Sequence, residues 1–190
     1  MKKSLARKLS VFFAGIVFIT CLVLVGLTVM IFGNIEDRMK DVLYENTLQS
    51  YKTEVKSEVQ SAISSIEYYY NLSDSGKIDE ATAKKDALEA LRNLRYGDDD
   101  SGYFWVDDTD YNLVMHPILP EQEGTNRYDL TDKNGVKIIQ SIMKTAESGG
   151  GFNEFYFTKS DGKTVAPKVA YSQKFDKWNW VITTGIYSDD

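Results

Sequence analysis

The sequence predicts an α+β protein with one transmembrane helix, a long helix after it, and an antiparallel sheet of about five strands. Three observations support this fold class. Residues 11–32 contain no charged side chain, and residues 34–72 contain neither glycine nor proline. From Gly102 onward, apolar side chains recur at every second position, which is typical of half-buried strands.

The apolar stretch 11–32 is long enough to cross a membrane, because a helix of this length spans about 33 Å. Four basic residues precede it: Lys2, Lys3, Arg7 and Lys8. The positive-inside bias therefore predicts that residues 1–10 lie in the cytoplasm and residues 33–190 outside it. A cleavable signal peptide is the competing interpretation, but its apolar region would be shorter, and no A-x-A-like site follows Phe32.

Residues 34–72 predict a long amphipathic helix. Its apolar positions recur at spacings of three and four, through Leu48, Tyr51, Val55, Val59, Ala62, Ile66 and Tyr69. The first half is more polar, as in a stalk or helix pair, and the second half is expected to pack on a sheet. After the break at SDSG, DEATAKKDALEALRNLRY predicts a shorter helix with Asp79 as N-cap and Gly97 at its other end. Both helices fall within residues 33–100.

Residues 101–190 predict the sheet. GYFWVD and YNLVMH flank an acidic turn, KNGVKIIQSIMKTAESGG predicts a short helix, and three further strands follow in GFNEFYFTK, VAPKVAYSQKF and WNWVITTGIYS. If the first hairpin loop is 108–111, Asp107 faces Asn112, Tyr103 faces His116, and Trp105 lies beside Val114. A loop one residue shorter or longer would break this register.

Charge and composition argue against several functions. Residues after position 32 carry a net charge of −10, which does not favour nucleic-acid binding. The single cysteine, Cys21, lies in the apolar stretch, and a single histidine argues against zinc, so no metal or cofactor is expected. DLTDKNG fails the EF-hand register, since Gly135 at position 6 puts Leu130 at position 1. We interpret Asp132 or Asn134 as a helix N-cap.

The sequence does not predict an enzyme. His116 is the only candidate imidazole base, no G-x-S-x-G elbow occurs, and the VDDTD turn is typical of a solvated hairpin tip. An aromatic concavity with one or two cations, Lys168 and Arg127, suits a small organic anion instead. Pro117 begins a long loop of the kind that often covers a site. Two alternatives remain open: His116 as a satisfied strand-end histidine, and Lys168 as a solvated strand lysine.

Four segments in order resemble a known family: GYFWVDDTDYNLVMHP, GTNRYDLTDKNGVKII, GGGFNEFYF and APKVAYSQKFDKWNWVITTGIY. They are similar to the single Cache domain of type 2, the extracytoplasmic sensor module of bacterial methyl-accepting chemotaxis proteins and sensor kinases. The resemblance covers roughly residues 34–190. It implies a PAS-like antiparallel sheet with a long N-terminal helix, and a pocket that commonly takes a short-chain carboxylate.

The resemblance also implies pocket residues and partners. The candidates are Tyr103, Trp105, His116, Tyr128, Phe155, Lys168 and Tyr171, although strand alternation puts Tyr171 on the opposite face from Lys168. The expected partners are a small organic acid, the cell membrane, and a second copy that forms a homodimer through the long N-terminal helix.

The end of the chain departs from the family pattern. Such receptors continue into a second membrane helix and a cytoplasmic output domain, whereas this sequence stops at YSDD. We expect either an excised fragment or a stand-alone anchored sensor. The alternative function is an anchored, pilus-like structural subunit without a ligand, because pilins share the order of apolar helix, amphipathic helix and sheet. Against it, Thr20 occupies the place of the pilin glutamate five residues after Gly15.

Overall fold

The computed structural model describes residues 2–97, 100–159, 161 and 163–187. The helices are α1 (Lys2–Asp74), α2 (Glu80–Asn93) and α3 (Ile138–Glu147), with a short 3-10 helix at Pro120–Gln122. The strands are β1 (Phe104–Asp108), β2 (Leu113–Met115), β3 (Gly151–Thr158), β4 (Val165–Phe175) and β5 (Trp180–Tyr187). The predicted fold class, with a long N-terminal helix and a five-stranded antiparallel sheet, is confirmed.

The chain divides into two units, Met1–Thr47 and Leu48–Asp190. In the first unit the apolar side chains of the 11–32 stretch are exposed. Among the described residues, α1 is the one helix that is long and apolar enough to cross a membrane, a criterion that an N-terminal signal sequence also meets.

In the second unit, one face of the sheet is covered by α1 and α2. The predicted stripe of α1 is buried here, with Val55, Val59 and Ile66 each 0% exposed. They pack against Phe104 and Ile182, among others, in an apolar cluster that we call the α1-side core. Burial of each such aliphatic side chain contributes about 1.5–3 kcal/mol to stability.

Helix α2 begins as predicted but ends earlier. The Asp79 side chain accepts a hydrogen bond from the N–H of Thr82 at 2.9 Å, so the predicted N-cap is confirmed. The helix stops at Asn93, and the prediction that Gly97 caps it is therefore wrong. The cause is Tyr96, which forms an antiparallel bridge with Gly102 and packs its ring in the α1-side core.

Helix α3 covers the opposite face of the sheet. Its buried residues pack against Trp105 of β1, Phe155 of β3 and Tyr103, which precedes β1. The strand order is β2-β1-β5-β4-β3. Because side chains alternate along a strand, β1 sends Phe104 and Val106 to the α1-side core and Trp105 and Asp107 to the α3 face, where Tyr103, the residue before β1, also lies.

The first hairpin pairs in a different register from the predicted one. Val106 pairs with Met115 and Asp107 pairs with Leu113, so the predicted pairing of Asp107 with Asn112 is wrong. The register shifts between the two pairs, because β2 carries one extra residue there, as in a β-bulge.

The extra residue is Val114, which packs on the α1-side core and not beside Trp105. Met115 faces the same core, so the next residue, His116, returns to the α3 face. There its ring centroid lies 5.3 Å from that of Tyr103 and 6.0 Å from that of Trp105. The three residues share one face, although Tyr103 and His116 lie outside the paired strands.

Asp108 accounts for the register shift. Its Oδ1 accepts hydrogen bonds from the N–H groups of Asp110 and Asn112 at 2.9 and 2.8 Å, and its Oδ2 accepts one from the Asn112 amide at 2.9 Å. Tyr111 adopts a left-handed conformation with φ 69°. Side-chain bonds of this kind compete with ladder pairing, and Asn112 bridges to Asn126 instead of pairing with Asp107.

The DLTDKNG segment is a loop and not a helix start. Asp132 Oδ1 accepts from the N–H groups of Asn134 and Val136, and its Oδ2 accepts from the N–H of Tyr156 at 2.9 Å. These bonds, the one from Tyr156 foremost, lower the pKa of the Asp132 carboxyl. Since α3 begins at Ile138 with Lys137 in the N-cap position, the N-cap interpretation of Asp132 or Asn134 is wrong.

Candidate ligand-binding site

The α3 face of the sheet holds a cluster of buried ionisable side chains. Asp107, His116, Arg127 and Lys168 are 0%, 2%, 6% and 1% exposed. Ionisable groups are almost never fully buried without a partner, because removing a charge from water is costly. A charge of this cluster that lacks a partner of opposite charge therefore indicates what kind of ligand the cluster can bind.

Lys168 lies on β4 and points its ammonium among aromatic rings. Nζ donates a hydrogen bond to the Tyr103 hydroxyl at 3.0 Å and lies 4.4, 5.1 and 4.6 Å from the ring centroids of Tyr103, Trp105 and Tyr187. Cation–π attraction offsets part of its desolvation. Within the described part of the chain, no carboxylate oxygen lies within 4.0 Å of Nζ. A solvated strand lysine is excluded by its burial.

Arg127 is already neutralised. Its Nε lies 3.1 Å from Asp107 Oδ1, its Nη2 contacts the same oxygen, and its backbone N–H donates to Tyr111 O at 2.8 Å. Burial raises the pKa of the Asp107 carboxyl, and the nearby guanidinium opposes that shift. Lys168 is therefore the cation of the cluster that lacks a carboxylate among the described residues.

Two polar atoms of the cluster are buried without a hydrogen-bond partner in the described residues, namely Trp105 Nε1 and Asp107 Oδ2. The indole N–H acts on the Asp107 carboxyl as a hydrogen-bond donor that lowers its pKa, so the two groups are each other's neighbours although their geometry falls outside that of an ordinary hydrogen bond. Buried polar groups in native proteins are normally paired, and such exceptions often mark functional positions.

His116 is held as a neutral imidazole. Its Nδ1 accepts hydrogen bonds from the N–H groups of Ile118 and Leu119 at 3.2 and 3.1 Å, so the ring proton is on Nε2. Burial lowers its pKa to about 3, and the charges of Arg127, Lys168 and Arg92 act in the same direction. The satisfied-histidine interpretation therefore describes Nδ1, while Nε2–H remains a donor in the aromatic cluster.

A small cavity of about 10 Å³, enough for about one water molecule, adjoins this cluster at Arg127. It is lined by Trp105, Arg127, Ile138, Ile139, Phe155 and Phe157. An open depression of about 280 Å³ lies at β3, β4 and the 132–136 loop. Phe155 borders both spaces. Among the described residues, no group of three or more His, Cys, Asp or Glu side chains is placed to hold a metal ion.

The structure brings five of the seven sequence-predicted residues together: Tyr103, Trp105, His116, Phe155 and Lys168. It does not bring Tyr128 or Tyr171 to them. Tyr128 is 46% exposed and meets Tyr111 edge-on at 4.9 Å. Tyr171 faces the α1-side core, as alternation predicts, and meets the Phe152 ring edge-on at a centroid distance of 5.0 Å.

Sequence reasoning missed Asp107 as a cluster residue and placed Arg127 in the loop without its partner. The signal for Asp107 was its spacing, because it lies two positions after Trp105 on β1 and four after Tyr103, which precedes the strand. The signal for the ion pair was weak, since its two members are separated by 20 positions in the chain.

The sequence model of the family described as Single Cache domain 2 matches residues 47–190. The chain belongs to this family. Over 158 residues it is 34% identical to the sensor histidine kinase MctS of Rhizobium johnstonii (strain DSM 114642 / LMG 32736 / 3841), which covers 83% of this chain and 33% of that protein. The chain spans between 27% and 33% of the length of the curated relatives it matches.

Solved structures agree with this assignment. One, described as the periplasmic sensor domain of a chemotaxis protein, has a TM-score of 0.70 and 32% identity, and the match covers 74% of this chain and 96% of that one. Another, from work on carboxylic acid recognition by a Cache chemosensory domain, has a TM-score of 0.70 and 26% identity over 75% of this chain and 97% of that one. The Cache fold, with its PAS-like sheet, is confirmed, and nothing in these likenesses supports the pilus-like alternative. This Cache domain is a sensor module of the kind found in chemoreceptors and sensor kinases.

Proposed function

We propose that residues 33–190 form the extracytoplasmic sensing domain of a membrane-anchored bacterial receptor, and that its ligand is a small organic carboxylate. The observation that carries the proposal is Lys168, an ammonium that is 1% exposed and has no carboxylate within reach among the described residues. A ligand carboxylate would supply the missing countercharge.

Energetics favour an anion at this position. An isolated buried charge costs several kcal/mol, whereas a hydrogen bond to a charged group contributes about 1.5–3 kcal/mol. The net charge of −10 after residue 32 does not prevent this, because the screening length at physiological salt is about 8 Å. The Tyr103 hydroxyl and His116 Nε2–H are the neutral donors that we assign to the same carboxylate.

The enclosing side chains favour a short ligand. The cavity of about 10 Å³ is lined by Trp105, whose ring centroid lies 5.1 Å from Lys168 Nζ. It is smaller than any organic acid, so its walls must move apart if a ligand held by Lys168 enters it. Four large apolar residues form those walls and limit the expansion: Ile138, Ile139, Phe155 and Phe157. The similar Cache domain studied for carboxylic acid recognition supports the same ligand class.

Membrane attachment and dimerisation are further parts of the proposal. The basic N-terminus and the uncharged 11–32 stretch support an anchor with the Cache domain outside the cytoplasm. Beyond that stretch, Ile35, Met39 and Val42 are 48%, 57% and 58% exposed at helical spacing. An apolar stripe of this kind supports pairing of α1 with a second copy.

The test compares an acid with its uncharged analogue. The purified chain in detergent is titrated by calorimetry with propionate and with propionamide, which have nearly the same shape. We expect the acid to bind and the amide to bind at least tenfold more weakly. Equal affinity for the two would overturn the proposal that the ligand is recognised through its charge.

A further inference from the structure

An ion pair joins helix α2 to the loop that follows β2. The guanidinium of Arg92, in the last turn of α2, contacts both carboxylate oxygens of Glu123, with an Nη1–Oε1 distance of 2.7 Å and an Nη2–Oε2 distance of 2.9 Å. Such a two-point contact fixes the orientation of both side chains. Their side chains are 30% and 24% exposed, so water screens the pair only in part.

The same carboxylate also closes the loop 117–123. Glu123 Oε1 accepts a hydrogen bond from the His116 N–H at 2.8 Å, so the last residue of the loop is bonded to the residue that precedes it. Arg92 Nη1 lies 3.5 Å from the His116 carbonyl oxygen. Burial raises the pKa of the Glu123 carboxyl, but the hydrogen bonds from Arg92 and from the His116 N–H outweigh this and leave the pKa below its ordinary value. Glu123 is therefore ionised at neutral pH, which strengthens its hydrogen bonds.

The closed loop determines how the imidazole of His116 is bonded. The two N–H groups that donate to Nδ1, at 3.2 and 3.1 Å, belong to Ile118 and Leu119. Both residues lie between His116 and Glu123, so these bonds depend on the conformation of the loop. Ile118 also packs against the apolar cluster on the α3 face. Because Nδ1 is engaged as an acceptor, the ring proton is on Nε2.

We propose that Arg92 and Glu123 are positioning residues for ligand recognition: they hold the loop 117–123 closed, and the loop holds the His116 Nε2–H ready to donate to the ligand carboxylate. This inference rests on the proposed function, in which His116 is a donor to that carboxylate. Neither Arg92 nor Glu123 is assigned a contact with the ligand. The alternative is an ion pair with no role in binding, and breaking such a pair would leave the imidazole as it is.

The single histidine of the chain makes the loop observable, because all imidazole signals in an NMR spectrum of the full chain in detergent belong to one residue. In the unaltered chain the ring should not titrate between pH 7.5 and 5. Burial lowers its pKa to about 3, and the charges of Arg127, Lys168 and Arg92 act in the same direction. In Glu123→Ala the loop opens and water reaches the ring, so the pKa should rise towards its ordinary value of about 6.5. Loss of the carboxylate charge alone would lower the pKa, so a rise reports the opening of the loop.

Calorimetry with acetate, propionate and butyrate measures the consequence for binding. In Glu123→Ala, affinity for the acid that binds the unaltered chain most tightly should fall by about tenfold, which is the contribution of one hydrogen bond to a charged group. Arg92→Gln breaks the same ion pair from the side of α2 and leaves the His116 N–H bonded to Glu123. It should weaken binding in the same direction, and it replaces Glu123→Ala if that variant does not fold.

Glu89→Ala is the matched control. It removes another carboxylate near the same guanidinium, since Glu89 Oε2 lies 4.0 Å from Arg92 Nε, but this contact lies within α2 and leaves the loop contact in place. Neither the imidazole titration nor the affinity should change.

The possible outcomes separate this inference from the proposed function. An imidazole that stays neutral down to pH 5 in folded Glu123→Ala overturns the positioning role, as does unchanged affinity in that variant or in Arg92→Gln. In each of these cases the binding of a carboxylate by the unaltered chain stands. If none of the three acids binds the unaltered chain, the carboxylate function fails and the positioning role fails with it.

Discussion

The two faces of the sheet use the same strands for different purposes. On the α1 side, the residues that meet Val55, Val59 and Ile66 are almost all apolar. On the α3 side, residues one position away along the same strands include Asp107 and Lys168, both almost completely buried. Successive side chains of a strand point to opposite faces of the sheet, so neighbouring residues can serve an apolar core on one face and a polar cluster on the other.

This difference has an energetic consequence. The α1-side core gains stability from each buried apolar group, whereas the α3 side buries charge that its own side chains only partly offset. Binding sites commonly reduce stability in this way. Substitutions on the α1 side should therefore lower the free energy of unfolding, whereas substitutions on the α3 side should lower ligand affinity.

The largest expected effect is on the α1 side. Ile66 is 0% exposed in the core, so Ile66→Ala should reduce the free energy of unfolding by about 2–5 kcal/mol through the lost burial and the cavity left behind. Urea denaturation measures this, and ligand affinity should stay the same. The control is Glu67→Ala, an exposed neighbour on the same helix, which should change stability by less than about 0.5 kcal/mol. A large loss of affinity in folded Ile66→Ala would contradict the separation of the faces.

The next effect is on the α3 side, where a substitution should change ligand affinity and not reduce stability. Lys168→Met keeps the length and the apolar contacts of the side chain but removes its charge. Affinity for the bound acid should fall by about tenfold or more, since a hydrogen bond to a charged group contributes about 1.5–3 kcal/mol. The free energy of unfolding should be unchanged or higher, because a buried charge is removed.

Calorimetry and thermal melting of the same samples give both quantities. Lys163→Ala, at an exposed lysine in the turn before β4, is the control and should alter neither. Unaltered affinity in Lys168→Met would show that the ligand does not use this ammonium.

A smaller effect concerns pH. In the unfolded chain the His116 imidazole binds a proton below about pH 6.5, whereas burial in the folded domain lowers its pKa to about 3. Its contribution to stability is therefore complete above pH 6.5 and is lost as the pH falls from there towards 3. Below pH 6.5 the slope approaches about 1.4 kcal/mol per pH unit.

Denaturation between pH 7.5 and 5 checks this, since most carboxylates do not yet titrate in that range. His116→Gln should be less stable at pH 7.5 but should lose less stability over the same interval. An equally steep decline in the variant would assign the pH dependence to other groups.

The sequence predicted those features that depend on local periodicity. The stripe of α1 through Val55 and Ile66 follows from helical spacing, and the opposite orientations of Lys168 and Tyr171 follow from strand alternation. The hairpin register was not predictable, because it depends on how the Asp108 side chain captures nearby N–H groups. The pairing of Arg127 with Asp107 and the size of the cavity arise from long-range packing, which no local pattern encodes.

The smallest expected effect tests the boundary between the faces. Tyr171 was predicted as a pocket residue from the family resemblance, yet it faces the α1-side core, where its ring meets Phe152 edge-on. Tyr171→Phe keeps that ring contact and removes only the hydroxyl, so the free energy of unfolding should change by less than about 0.5 kcal/mol. Affinity for the acid should not change, because the hydroxyl lies on the far side of the sheet from Lys168. Calorimetry on Tyr171→Phe beside Tyr103→Phe makes the comparison direct, since the Tyr103 hydroxyl contacts Lys168 Nζ at 3.0 Å. A tenfold loss in Tyr171→Phe with none in Tyr103→Phe would place the ligand on the α1 side and reverse the roles of the two faces.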